Sequence, residues 1–314
     1  MNEEYEPAAS VVVATYARPR AVIDTIHSLI RQQGLSDKFF EIIIVDNNAD
    51  KTTFDRVSEY LSEHKEEISQ FNTIVRLVQE RRRGLSFARN TGIRAARAPI
   101  IAFTDDDIIV ENYWLSAILD TFQESEVQGV FGFTRSATDD YLLCTKTDSK
   151  VCDYRNTSSL WEMGHGNNMA FRRAALLEAG LFDETLGAGS RYKAAEDTDL
   201  FYRMLKRRFL LRYQPAARAT HYGHLHDEDP VKKLQQYDIG AAAFAAKYLV
   251  KGDAEPLKLA LKRLQPRWDI IRPYLPFAVV SLIKDQRHTL LGFEQQLLAF
   301  AKRFISDYRK NGGE

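Results

Sequence analysis

Four apolar runs, Val11-Val12-Val13-Ala14, Ile42-Ile43-Ile44-Val45, Ile74-Val75-Arg76-Leu77-Val78 and Ile100-Ile101-Ala102-Phe103, punctuate the first third of the chain. Each is short, nearly continuous and rich in β-branched residues, as strands buried on both faces are. Helical periodicity fills the gaps between them. Pro19 suits a first helical turn, and Val22, Ile26, Leu29 and Ile30 then share one face, with Gly34 closing the segment. Phe54 to Phe71 is charged but carries Val57, Leu61 and Ile68 at helical spacing, which predicts a surface crossover helix. Strand alternating with helix in this way predicts an α/β fold with a mostly parallel sheet flanked by helices.

Further along, Leu115, Ile118, Leu119 and Phe122 predict a helix from Trp114, and Val130 to Thr134 a further strand. Ser136 to Ser159 is polar and weakly patterned, the composition of a loop over a site. Arg172 to Ala179, ended by Gly180, and Thr198 to Arg208, with Leu200, Phe201, Met204 and Leu205 as its stripe, predict two more helices. The composition shifts near Lys251. From there on, 12 Lys/Arg face 7 Asp/Glu, and Pro256, Pro266, Pro273 and Pro276 divide the chain into short pieces. A catalytic domain over 1–250 and a helical, basic C-terminal extension over 251–314 are therefore expected. In the extension Leu290, Phe293, Leu297, Phe300 and Phe304 line one side of a helix. Such a face suits docking on the protein itself, on a twin subunit, or peripherally on a membrane surface.

Lys+Arg and Asp+Glu are both 43 in 314 residues. No net field favours nucleic acid, so any electrostatic specialisation is local. Cys144 and Cys152 match no metal spacing and fit a reducing compartment. The acidic N-terminus lacks an apolar stretch of signal-peptide type, and no run is long enough to span a bilayer. The expectation is a cytoplasmic protein, peripheral at most to the inner face of the cell membrane.

The chemistry concentrates at strand ends. Asp105-Asp106-Asp107 follows the fourth apolar run, placing hard oxygen ligands for Mg²⁺ or Mn²⁺ at a sheet's C-terminal edge, where open α/β sheets bind ligands. Just upstream, Arg76 to Arg97 holds seven arginines against the single acid Glu80. Arginine offers paired donors to phosphate, and Gly84 allows close backbone approach. The helix that Leu85 begins would favour an anion at its start. In a parallel sheet Thr15-Tyr16, Asp46-Asn47-Asn48 and the acidic triplet share one crevice of nucleotide size. Asp46-Asn47-Asn48 fits turn chemistry equally well.

In order and spacing over about residues 10 to 225, the chain resembles the GT-A-fold glycosyltransferases of family 2. The resemblance rests on Val11 to Pro19, Ile44-Val45-Asp46-Asn47, Gly84-Leu85-Ser86-Phe87-Ala88-Arg89-Asn90 and the D-x-D element Asp105 to Asp107. It continues through Gly166 to Arg172, Leu181 to Glu184, Leu186 to Ser190 and Glu196-Asp197-Thr198-Asp199-Leu200. It implies a nucleoside-diphosphate sugar donor, a divalent metal and inversion at the anomeric carbon. By the same carry-over Asp46 contacts the base, Thr15 and the Arg83-Gly84 region lie near the nucleotide with Tyr16, Arg18, Asn90 and Asp106, and Asp105 faces the ribose. Asp107 binds the metal, with His221 as second ligand ahead of its neighbours His224 and His226.

The acceptor hydroxyl must lose a proton as it attacks, and the resemblance assigns that proton to Asp197. Glu196, Asp197 and Asp199 also suit the N-terminus of the following helix, so capping and catalysis can be divided among them. Ala195 departs from the glycine many relatives have, which leaves the backbone there less free. Gly166, Asn167, Asn168 and Glu196 are expected on the donor-sugar and acceptor side, and Trp161 is either an apolar platform for a sugar ring or an ordinary packed tryptophan. The acceptor expected is a glycan or lipid-linked saccharide in cell-surface polysaccharide or glycolipid synthesis. A sugar-phosphate nucleotidyltransferase would require a glycine-rich loop where Thr15 to Pro19 stands, and a non-catalytic nucleotide-sugar-binding protein would not need Asp197.

Overall fold

The computed structural model describes residues 6–36, 38–138, 144–223 and 230–264. The first half alternates as its apolar pattern predicts: β1 (Ala9–Thr15), α1 (Pro19–Ile30), β2 (Phe40–Asp46), α2 (Thr52–Glu63), α3 (Lys65–Ile68), β3 (Thr73–Gln79), α4 (Leu85–Ala95) and β4 (Ile100–Asp105). Then come β5 (Ile108–Val110), α5 (Trp114–Thr121), β6 (Val127–Ser136), β7 (Cys152–Tyr154), β8 (Asn168–Arg172), α6 (Arg173–Ala179), α7 (Glu196–Lys206), β9 (Leu210–His221), α8 (Pro230–Leu249) and α9 (Glu255–Leu264).

The strands form one sheet in the order β3-β2-β1-β4-β8-β6-β9-β5, with β7 paired to β9. β3, β2, β1 and β4 are parallel, so their C-terminal ends share one edge. β8 then runs antiparallel to β4, setting Asn168 beside Thr104. β6 and β9 pair in parallel with a register shift between Gly132 and Phe133. Pro215 lies in the unpaired stretch of β9 opposite that shift, where a missing N–H leaves no ladder bond open.

The core lies where the uninterrupted apolar runs put it. Val11, Val13, Ile42 and Ile44 are wholly buried, and α1 covers them with Val22, Ile26, Leu29 and Ile30. Burying one such side chain contributes about 1.5–3 kcal/mol. The charged crossover is two helices rather than one. His64, at φ −104° and ψ 17°, breaks it, and its Nδ1 lies 3.0 Å from the Tyr60 carbonyl, in competition with the helix ladder.

Of the described residues, those up to 190 and from 196 to 230 form one compact unit; 191–195 and 231–264 form another. Within the second, α8 lies so close to the short segment that a Cβ on Gly240 would stand 2.7 Å from the Ala194 carbonyl carbon. No described helix is long and apolar enough to cross a membrane. The amphipathic face from Leu290 to Phe304, with the docking expected of it, lies outside the described residues.

Candidate active site

Register brings the strand ends together. Thr15 pairs with Asp46 across β1 and β2, while Ala14 pairs with Asp105 across β1 and β4. The Thr15 hydroxyl donates to Asp106 Oδ2 at 2.7 Å. Asp46 is fully buried; its Oδ1 accepts the Asn48 N–H at 3.0 Å, whereas Oδ2 makes no hydrogen bond of normal geometry. Burial raises this carboxyl above its ordinary range although the Asn48 and Phe54 N–H groups favour the charge. A buried acceptor left open at a strand end suits a donor on a ligand.

Asn47, given no role of its own in the sequence reading, clamps the arginine-rich loop. Its Nδ2 donates to the carbonyls of Glu80 (2.9 Å) and Arg82 (2.7 Å), and its Oδ1 accepts the Gly84 N–H at 2.7 Å. Gly84 stands at φ 147°, a conformation L side chains rarely adopt. The loop is braced by Arg82, which grips both Glu80 oxygens, at 3.0 and 2.7 Å. Arg83 is left over the exposed Tyr16 ring, 5.0 Å from its centroid. The start of α4 is less open to an anion than expected, because the Leu85 N–H already donates to the Ala188 carbonyl.

The acidic triplet divides three ways. Asp105 Oδ1 accepts from Arg89 Nη2 at 3.0 Å. Asp106 is buried, and burial first, then the charge of Asp107, pushes its pKa up to about 7. Asp107 turns toward β9: Ile108 pairs with His221, the Tyr222 N–H donates to the Asp107 carbonyl, and His221 Nε2 stands 3.3 Å from Asp107 Oδ1. Burial lowers the His221 pKa, but the bond to Asp107 and its charge outweigh burial, and the net shift is upward. Arg18 Nη1 lies 3.3 Å from Asp106 Oδ1 and 3.1 Å from Asp107 Oδ2, so a cationic group already sits against this carboxylate cluster.

A carboxylate beside an imidazole is a donor set suited to Mn²⁺ or a similar cation. Among the described residues no three His, Cys, Asp or Glu side chains converge to hold a metal by themselves. Among the described residues Asp107 and His221 are the two such donors that meet here. His224 and His226 lie outside the described residues.

On the other side of the cleft, Asp197 Oδ2 accepts the Gly166 N–H at 3.0 Å and Oδ1 accepts the Thr198 N–H at 2.6 Å. Glu196 is buried against Arg89 Nη1 at 2.9 Å. Burial, reinforced by the charge of Asp197, raises its pKa to about 7 against the pull of Arg89. Ala195 adopts φ 74° without being glycine, so the turn into α7 keeps its left-handed step at a cost of about 1–2 kcal/mol.

Several expected ligand contacts are occupied by the protein itself. Asn168 accepts from Trp114 Nε1 at 2.8 Å and donates to the carbonyls of Phe133 (2.9 Å) and Ala217 (3.0 Å). Asn167 donates to the Cys144 carbonyl at 3.0 Å. Asn90 exchanges hydrogen bonds with the Phe182 backbone, at 2.9 and 3.0 Å. All three amides are bonded to backbone. Trp161 is half-buried in the segment before β8. Arg89, counted among seven arginines without a role, is 3% exposed and meets Asp105, Glu196 and Gly166 together. Its signal was an arginine among Ser86, Asn90 and Ile93 on the buried face of α4.

A sheet whose parallel strand ends gather Thr15, Asp46 and Asp105, with Glu196 and Asp197 at the start of α7 linked to them through Arg89, has the architecture of the GT-A fold. The solved structure of the mannosyltransferase PcManGT from Pyrobaculum calidifontis, in complex with GDP-Man and Mn²⁺, matches with a TM-score of 0.61 over 96% of this chain and 83% of that one, at 21% identity. Residues 1–349 of TarS from S. aureus, in complex with UDP, match with a TM-score of 0.54 over 83% of this chain and 77% of that one, at 15% identity. The chain belongs to glycosyl transferase family 2, whose model matches residues 10–180. The glucosyl-dolichyl phosphate glucuronosyltransferase of Haloferax volcanii is 24% identical over 213 residues, a match that spans 62% of this chain and 62% of that relative's length.

Proposed function

We propose that this protein transfers a sugar, with inversion, from a nucleoside-diphosphate sugar to an acceptor hydroxyl. The observation that carries the reading is the meeting of Asp107, in the turn before β5, with His221 at the end of β9, 3.3 Å apart, next to the strand ends that gather Thr15, Asp46 and Asp105. In this reading Asp46 receives the base, Asp105 faces the ribose, and Asp107 with His221 holds a divalent cation. Tyr16, Arg18 and Arg83 border the same cleft. The cation, when bound, compensates charge on the departing diphosphate, which is worth several kcal/mol. GDP-Man with Mn²⁺ in the mannosyltransferase relative supports the pairing of donor and metal.

Asp197 is the base. Held by the Gly166 and Thr198 N–H groups, it takes the proton of the acceptor hydroxyl while the freed oxygen bonds to the anomeric carbon. The bond from that carbon to the diphosphate oxygen breaks, and its electron pair leaves with the nucleoside diphosphate. The acceptor is a lipid-linked saccharide, a reading supported by the Haloferax relative's name and by the basic, amphipathic C-terminal sequence.

The test is a donor screen: purified protein with Mn²⁺ or Mg²⁺ and UDP-, GDP- and dTDP-sugars, following release of free nucleoside diphosphate with and without chelator. Chelator-sensitive release from one donor is the expected result. No release from any donor, together with no metal-dependent nucleotide binding, overturns the proposal.

A further inference from the structure

We infer that Arg89 is a positioning residue that couples the donor side of the cleft to the base, by holding Asp105, Glu196 and the Gly166 peptide in one fixed arrangement. The inference rests on the proposed function and deepens it. Arg89 rises from the buried face of α4 and is 3% exposed. Its Nη1 donates to Glu196 Oε1 at 2.9 Å; its Nη2 donates to Asp105 Oδ1 at 3.0 Å and to the Gly166 carbonyl at 3.0 Å. The N–H of that same Gly166 donates to Asp197 Oδ2 at 3.0 Å. One guanidinium therefore fixes the first carboxylate of the triplet directly, and the base through a residue that it grips by its carbonyl.

Two features make this a device rather than a chance contact. A planar fork can satisfy three acceptors in fixed directions, whereas an ammonium is a point charge without that geometry. Space at Gly166 is also tight: a Cβ there would lie 3.1 Å from both Arg89 Nη atoms and 3.2 Å from Asp197 Oδ2, so these groups would have to give way. Glycine lets the guanidinium and the carboxylate close on the same residue from two sides. A shift of Arg89 thus moves the base relative to Asp105 on the ribose side, while Asp46, Asp107 and His221 lie outside its own hydrogen bonds.

The experiment uses the full chain and whichever of UDP-glucose, UDP-N-acetylglucosamine, GDP-mannose and dTDP-glucose the wild type hydrolyses. In R89K, which keeps the charge but loses the fork, kcat for nucleoside diphosphate release should fall by roughly 10- to 100-fold, the scale of a misplaced reacting group. KM for the donor and calorimetric binding of the matching nucleoside diphosphate with Mn²⁺ should change by less than kcat, by no more than the share that Asp105 contributes at the ribose, since a positioning group acts chiefly on the chemical step. R89K should add no further loss to D197N, because groups acting as one unit are not additive. A purely structural arginine would instead lower kcat, donor affinity and thermal stability together.

If R89K does not fold, G166A disturbs the same bridge without altering charge and should show the same split. Wild-type kcat in folded R89K, or in folded G166A, overturns the inference while leaving the transferase reading intact, provided D197N is inactive. Undiminished turnover in D197N overturns the assignment of the base and the coupling with it, as does a wild type that hydrolyses no donor.

Discussion

Thr15 at the end of the first strand donates its hydroxyl to Asp106 at 2.7 Å, although 91 residues separate them. Both are nearly inaccessible, Thr15 2% and Asp106 5% exposed. T15V keeps the shape and removes the donor, leaving a buried carboxylate oxygen short of a partner. The expected loss is about 1–3 kcal/mol in denaturant unfolding, with T15S close to wild type. Equal stability of T15V and wild type would show that Arg18 alone supports Asp106.

Metal affinity should divide along β5 and β9. H221A removes one of the two donors proposed for the metal, so Mn²⁺ affinity measured by calorimetry in the presence of UDP or GDP should fall by at least the roughly 10- to 100-fold that loss of a mere outer-shell partner costs. Y222F alters an exposed neighbour and should leave that affinity unchanged. Unaltered binding in H221A would remove His221 from the metal site.

Stability should depend on pH through Glu196. Its carboxyl rises from an ordinary 4.5 to about 7 in the folded chain. Between those values the folded state binds more protons than the unfolded state, so this contribution is fully present below about 4.5 and is lost as pH rises through about 7. Glu80, lowered to about 2 chiefly by Arg82, acts with the opposite sign and only below its ordinary 4.5. Urea midpoints for metal-free wild type and E196Q at pH 5 and pH 8 isolate the term. Wild type should lose stability relative to E196Q at the higher pH. A constant difference would mean that Arg89 keeps Glu196 charged throughout.

Close packing of α4 on β1 depends on Gly92. A Cβ there would stand 2.3 Å from Val12 Cγ1, so G92A should destabilise by about 1–3 kcal/mol through overpacking. V12A makes room, and the double variant should recover part of the loss. Additive losses in the pair would place the strain elsewhere.

β1, β2 and β4 could be read from sequence because strands buried on both faces leave continuous apolar runs; β3, last in the strand order, is largely half-buried with Ile74 exposed, and its run was legible from its β-branched residues. Val11, Val12 and Val13 or Ile42, Ile43 and Ile44 need no alternation to declare themselves. β9 could not be read in this way. Arg212, Gln214, Pro215 and Arg218 interrupt it, and it is held by partners on both sides rather than by its own pattern. The GT-A fold was therefore legible from the parallel half and its motifs. The side chains that the structure gathers were legible where they end a strand, as with Thr15, Asp46 and the triplet. Asn90, Asn167 and Asn168 have the composition of ligand contacts but fasten backbone, a use that residue type does not reveal. Arg89 was hidden for the opposite reason: its six companions look alike in sequence, and only burial sets it apart.

The reversal of direction between β4 and β8 has an evolutionary reading. The parallel half delivers strand ends to the cleft and β8 delivers a strand beginning, so the loop that precedes β8 enters the same space from an independent stretch of chain. Insertions ahead of Gly166 can remodel what is received there without shifting the register of Thr15, Asp46 or Asp105. Exchange of that one loop would retarget such a scaffold without touching the half that carries the acidic triplet.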